Sequence, residues 1–253
     1  MSDISLLRHG PVTEIRLDRA GAGNALSTAL ATELAAATGE IGDARAVVLS
    51  SGAPRAFCVG ADLKERDRLT DAGFMAQRPI FRQAFAAVRD LPVPVVAAVH
   101  GYALGGGFEL ALSGDLIVAD ETAVVGLPET RIGIVPGGGG TQLLPRRAGA
   151  AVAADLILTG RHVRAEEAQR LGLVDRLVPA GTDVEAAIEL AGLIAANSPV
   201  AVAQARHAMR RGFDVDLAAG LDIEDSAWRA AVFSDDRREG VRAFVERRPP
   251  NWP

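Results

Sequence analysis

The chain has 253 residues, 49% of them hydrophobic and 23% charged, with a formal net charge of -5 at pH 7. That composition suits a folded protein large enough to bury its own core, and it excludes disordered, collagen-like and disulfide-framework chains. The acidic balance lacks the basic footprint of a nucleic-acid or anionic-membrane binder, and a single cysteine, Cys58, excludes intramolecular disulfides and thiolate metal clusters.

Residues 1–10 carry Asp3 and Arg8 around a short apolar run, without a signal-peptide core, and no stretch approaches the roughly 18 apolar residues of a membrane span. A cytoplasmic location is expected, with neither membrane nor nucleic acid as partner. Residues 4–7 and 12–17 alternate around His9, Gly10 and Pro11, which predicts an opening hairpin. Residues 27–41 hold Leu30, Leu34 and Ile41 at helical spacing behind a capping Ser27. A buried strand is predicted over 46–49, followed by a loop over 51–60. Next come a helix over 74–89 stopped by Pro92 and Pro94, a strand over 95–99, a glycine turn over 101–107 and a small apolar helix over 108–113. Short strands are predicted at 116–119 and 124–125, and a second glycine cluster at 137–140 opens another helix. Beyond about residue 184 only helices are predicted: 184–196, 199–211, 216–233 and 236–246. The expected organisation is an α/β core over 1–181 and a helical region over 182–253.

Three segments carry candidate chemistry. In HGYALGGGFELAL, starting at His100, the turn Gly105, Gly106, Gly107 presents backbone N–H groups at a helix N-terminus, where orphan donors and the dipole favour negative charge. The spacing fits neither the dinucleotide fingerprint nor a phosphate loop. Glu109, two residues on, would repel phosphate but could act on a polarised carbonyl compound; taken alone, it could equally be a carboxylate that complements the helix dipole. Pro128 restricts Leu127 to an extended conformation, so Glu129 is expected at the end of an extended segment, presented and not packed. It reads either as half of a proton-transfer pair or as a solvated turn residue. In the third segment Gly60 and Ala61 offer a second backbone donor, and Asp62 caps a helix that includes Lys64. Cys58 reads as a small packed residue, and His9, His100, His162 and His207 have no metal-ligand spacing, so no metal site is expected.

Together these segments resemble the crotonase, or enoyl-CoA hydratase, superfamily. AFCVGADLKE from Ala56 is similar to its A-F-x-x-G-A-D-[IL]-K-E, and GYALGGGFELA from Gly101 to its G-x-[AC]-x-G-G-G-x-E-L-A. The stretch from Pro128 and Glu129 through PGGGGTQLLPR is similar to its third signature. Order and separation agree, and the likeness runs from about Asp18 into the tail beyond Phe244.

The resemblance implies a spiral of β-β-α units with a helical C-terminal trimerisation domain, assembled as a homotrimer or a dimer of trimers. It implies an acyl-CoA thioester substrate, with CoA part of the substrate and no separate cofactor. The N–H groups of Ala61 and Gly106 would form the oxyanion hole. Glu109 and Glu129 fall on the family's two catalytic glutamates, and keeping both favours hydration of a 2-enoyl-CoA to a 3-hydroxyacyl-CoA. Glu109 would activate water, Glu129 would protonate the α-carbon, and Gly137 would support the water by backbone contact. Residues 66–85, with Phe74, Met75, Phe81 and Phe85, would shape the acyl pocket. The sequence after Asp18 and Arg19 departs from the family in lacking a cation, which makes Arg55 and Lys64 the candidates to meet CoA, each with the alternative of a solvated surface charge. Phe244 and Arg247 are candidates to reach a neighbouring subunit's CoA. The alternatives are another crotonase reaction, such as enoyl-CoA isomerisation, and a non-catalytic binding protein that keeps the fold.

Overall fold

The expected hairpin forms: β1 (Ile4–His9) runs antiparallel to β2 (Val12–Leu17). The structure, a computed structural model, describes residues 2–252. Helix α1 (Thr28–Ala37) begins where expected, with the Ser27 hydroxyl accepting the Leu30 N–H at 3.1 Å. It stops four residues short of Ile41, because Thr38–Glu40, which contains Gly39, tightens into a 3-10 turn.

Beyond α1 the chain repeats one unit, two strands and then helix. The first is β3 (Ala46–Ser51), β4 (Ala56–Cys58), α2 (Leu63–Arg66) and α3 (Asp71–Arg89). The second is β5 (Val95–Val99), β6 (Tyr102–Leu104) and α4 (Gly106–Leu112). The third is β7 (Leu116–Asp120), β8 (Val124–Gly126), a 3-10 turn over Pro128–Ile132 and α5 (Gly140–Ala148). Within each unit the first strand joins a six-stranded sheet and the second a four-stranded one. Each unit therefore advances both sheets by one strand, which is a spiral of β-β-α turns. Strands β4 and β6 were expected only as glycine loops; at three residues each they are too short to show a period of two. Helix α6 (Ala150–Thr159), β9 (Val163–Arg164), α7 (Ala165–Arg170) and β10 (Arg176–Val178) complete the sheets, with β9 pairing β8 and β10 pairing β7.

The core has two sides because the central strands are covered on both faces, which is why β3 and β5 read as unbroken apolar runs. Val47, Leu49, Val95, Ala97 and Val99 face α1 and α3 through Leu30, Leu34, Phe81, Phe85 and Val88. Their alternates Ala46, Val48, Val96 and Ala98 face Ala187, Leu190, Ala191 and Ala195 of α8 (Asp183–Ala195). Helix α8 thus packs on the six-stranded sheet although it follows the expected division at 181/182. The remaining helices are α9 (Pro199–Gly212), α10 (Leu217–Val232) and α11 (Asp235–Glu246), each opened by a side-chain cap, Ser198, Asp216 and Ser234. Arg206 and Arg210 tie α9 to Asp115 at 2.8 and 2.7 Å, and Trp252 returns the tail to α8 by donating to the Ala196 carbonyl at 2.8 Å.

One polar clasp joins α8 to the end of β5. His100 faces an acceptor at each ring nitrogen, the Asp183 carboxylate at 2.9 Å and the Ala53 carbonyl at 2.7 Å. Both positions suit an imidazolium, and the Asp183 hydrogen bond raises the His100 pKa above its ordinary 6.5. A group whose folded pKa is raised stabilises fully below its unfolded value and loses that contribution as pH rises through the folded one. Urea titrations should therefore show a stability gap between wild type and His100→Asn that is larger near about pH 5.5 than near about pH 8.5. A gap that is constant or reversed with pH would show that the clasp is neutral.

Candidate active site

Three of the turns between strand and helix meet at one cavity. They are residues 59–62 after β4, residues 104–106 after β6, and the two-part segment from Pro128 to Gly140 after β8. Gly105 makes the second turn with φ +53°, and a Cβ there would stand 2.9 Å from Glu129 Oε1, so glycine is needed both for the backbone conformation and for the approach of that carboxylate. Gly105 adds no side-chain cap to α4, so the helix opens with free donors. A Cβ on Gly106 would lie 3.8 Å from Ala61 N, which puts the Ala61 amide next to Gly106. Among the described residues, neither N–H has an acceptor in the loops and caps, and both residues line the cavity.

Glu109 follows one turn into α4 and is buried. Its Oε1 accepts the N–H groups of Gly138 at 2.7 Å and Gly140 at 2.8 Å, so the second glycine cluster is a donor array aimed at a side chain. Burial raises the Glu109 pKa, while those two N–H bonds and the Arg78 charge hold the rise back. Glu129 sits within the 3-10 turn Pro128–Ile132 and not at the end of an extended segment: Pro128, with its fixed φ, starts the turn. It is packed as well as presented, at 8% exposed, and its Oε2 has no hydrogen-bond partner among the described residues. Burial and then the charge of Glu109 push its pKa up to about 7. Two neighbouring carboxyls thus differ in setting, one braced by amides and one bare, which favours ionisation of Glu109 and a proton on Glu129.

The cavity has a volume of about 690 Å³, and Phe74, Phe81 and Phe85 of α3 form one wall. Met75 is exposed and outside it. Gly137 lines the cavity, but its carbonyl accepts from Arg78 at 2.6 Å, and the amide contacts to Glu109 come from Gly138 and Gly140 instead. Arg55 and Lys64 are exposed and do not line it; Lys64 belongs to α2, which Asp62 caps as expected. Phe244 and Arg247 lie at the end of α11, also outside it. A larger cleft of about 1120 Å³ between α9 and residues 89–92 contains none of the predicted site residues. Cys58 is packed: its thiol donates to the Asn24 carbonyl, and burial pushes it up to about 12. Arg66 and Arg78 line the cavity and fall in the segment 66–85 expected to shape it, but the sequence singles out neither, since no local pattern marks them. Gly138 and Gly140 could have been found by reading the run of four glycines as donors, as the first glycine turn was.

Comparison with known proteins agrees with this geometry. Residues 8–253 match the enoyl-CoA hydratase/isomerase family. The chain is 45% identical to YngF of Bacillus subtilis (strain 168) over 237 residues, which are 92% of this chain and 91% of that protein. It is 38% identical to the mitochondrial methylglutaconyl-CoA hydratase of Mus musculus over 248 residues, 95% of this chain and 79% of the relative. The crystal structure of an enoyl-CoA hydratase from Bacillus anthracis superposes with a TM-score of 0.96 at 42% identity, covering 99% of this chain and 98% of that one. With the spiral fold, the paired amides and the family match in agreement, the chain belongs to the enoyl-CoA hydratase/isomerase family of the crotonase superfamily.

Proposed function

We propose that this protein is an enoyl-CoA hydratase, adding water across the 2,3 double bond of a 2-enoyl-CoA. The observation that carries the reading is the pair of buried glutamates with unlike settings beside two free backbone amides. The Ala61 and Gly106 N–H groups hold the thioester oxygen, which draws electron density from the β-carbon. Glu109, oriented by Gly138 and Gly140, takes a proton from water as its oxygen bonds to that carbon. Glu129 gives its proton to the α-carbon, and the proton gained by Glu109 restores the pair, so one water is consumed in total. The enolate formed on the way is the charge the amides stabilise, and one such donor lowers the barrier by about 2.7–4 kcal/mol. The exposed Met209, Phe213, Leu217, Trp228 and Phe233 of the C-terminal region support assembly as a homotrimer or dimer of trimers.

Incubation of the purified protein with crotonyl-CoA in ¹⁸O-water should yield 3-hydroxybutyryl-CoA with the label at C3 and loss of the conjugated-thioester absorbance. A 3-enoyl-CoA converted to its 2-enoyl isomer with no hydroxylated product would overturn hydration in favour of isomerisation. Light scattering on the same sample should give three or six chains; a monomer would overturn the assembly.

A further inference from the structure

The cavity that holds the two glutamates also holds three arginines, Arg66, Arg78 and Arg131. Arg131 is exposed and donates to the Thr159 carbonyl at 3.3 Å. Arg66 and Arg78 pair with no carboxylate among the described residues. Arg66 donates its Nε–H to Gln77 Oε1 at 3.2 Å, and buried Gln77 is itself anchored by donating to Thr28 Oγ1 at 2.9 Å. The Arg66 guanidinium lies 4.9 Å from the Phe74 ring centre and 5.1 Å from that of Phe81, so it is held between two aromatic faces, and its Nη ends have no hydrogen-bond partner among the described residues. Arg78, one position after Gln77, is fixed through one Nη to the Gly137 carbonyl.

The Arg66 charge is kept against resistance. Burial, together with the Arg78 charge, works to lower the pKa of Arg66, and only carboxylates oppose it. With Glu129 protonated and Glu109 ionised, the lining carries one negative charge against three positive ones; Arg78 and Arg131 are exposed to solvent, but half-buried Arg66 has no carboxylate partner among the described residues to balance it. The diphosphate of CoA does not answer that charge. Arg66 and Arg78 line the same cavity as Glu109 and Glu129, and the charge of Glu109 reaches both, so both stand on the carboxyl-pair side of the cavity. The pantetheine arm holds the diphosphate a full arm's length from the thioester.

We propose that the acyl group itself supplies the anion: the cavity takes a 2-enoyl thioester whose chain ends in a carboxylate, held between Arg66 and Arg78. This rests on the hydratase reading and adds the substrate class. An acyl carboxylate can accept from both guanidinium groups in the charge-assisted geometry that arginine favours. Phe81 and Phe85 give that subsite a buried apolar floor, while Phe74 and Arg78 are exposed at its mouth.

The test compares pairs of equal carbon number that differ in the terminal carboxylate. Binding of glutaryl-CoA and pentanoyl-CoA, neither of which can be hydrated, is measured by calorimetry in wild type, Arg66→Met and Arg78→Met. Turnover of glutaconyl-CoA and 2-pentenoyl-CoA is measured alongside. Wild type should prefer the carboxylated member of each pair, and each variant should lower that preference by about tenfold or more. Taking ratios cancels any loss of folded protein. If the arginines serve only to set the glutamate pKa values, the variants will shift the pH profile equally for both substrates and leave the ratios unchanged, which overturns the proposal. A wild-type preference for the uncharged member does the same. If glutaryl-CoA is preferred but neither enoyl ester gains a hydroxyl, the carboxylate subsite stands and the hydratase reading fails.

Discussion

Replacing either glutamate by glutamine should lower turnover of a 2-enoyl-CoA by about 10²–10⁴-fold while leaving the Kd for a saturated acyl-CoA within a few-fold. Glutamine keeps the volume and polarity of each side chain, so packing against the glycine turns survives and only proton transfer is lost. The pH dependence separates the two roles. Glu129 must carry a proton to deliver one, and with its pKa at about 7 that proton leaves as pH rises, so kcat/KM should fall on the alkaline side from about pH 7. Glu109 must be ionised to accept a proton, and its pKa stands above the ordinary 4.5, so kcat/KM should also fall on the acid side. Glu129→Gln should abolish the alkaline limb in its residual activity, and Glu109→Gln the acid one. Stopped-flow or steady-state assays across the pH range read both limbs. Variants that retain turnover within about threefold, with both limbs intact, would remove the carboxyl pair from the chemistry.

How much of this was legible in the sequence depends on the length of the signal. The hairpin, α1, α3, β5 and the four last helices announce themselves because each runs long enough for a period to repeat. Of the four-stranded sheet only β8 is read in advance, since the sheet's members are two or three residues long and sit among glycines; their pairing comes from the strand next to them in space. Glu109 and Glu129 stand out because each follows a backbone feature, a glycine turn and a proline, whose effect is local. The two-part amide hole joins residue 61 to residue 106, and only the family likeness connected them before the coordinates did. Arg66 and Arg78 were hidden by the same logic. An arginine at the end of a short helix, like Arg66 on α2, or on an amphipathic one, like Arg78 on α3, looks like a surface charge until the tertiary fold brings it to a cavity, and the other two arginines of α3, Arg82 and Arg89, do remain outside.

Gly107→Ala should have a large effect on folding. Gly107 needs no unusual φ; it needs absence of a side chain. A Cβ there would lie 1.9 Å from the Cys58 carbonyl oxygen and 2.6 Å from its carbon, both backbone atoms that cannot rotate away. Cys58 is the last residue of β4, fully buried and paired with Ala103 of β6, so the strand has little room to yield. The helix must therefore recede from β4. Overpacking of this kind costs about 3 kcal/mol or more, which for a chain of this size lowers Tm by roughly 6–12 °C. Recession has a second consequence, because α4 carries Gly106 and the β4 side carries Ala61. Parting those elements widens the gap between the two amides, and the fraction that still folds should lose about 10²–10³ in kcat, as when one oxyanion donor is removed. Gly39→Ala supplies the contrast: its Cβ meets nothing within 4 Å, and its Tm and turnover should match wild type. Calorimetry and the hydration assay on both variants decide the matter. Wild-type melting and turnover in Gly107→Ala would mean that contact between α4 and the Cys58 carbonyl does not set the spacing of the hole, and the geometric basis for reading those amides as a pair would be gone.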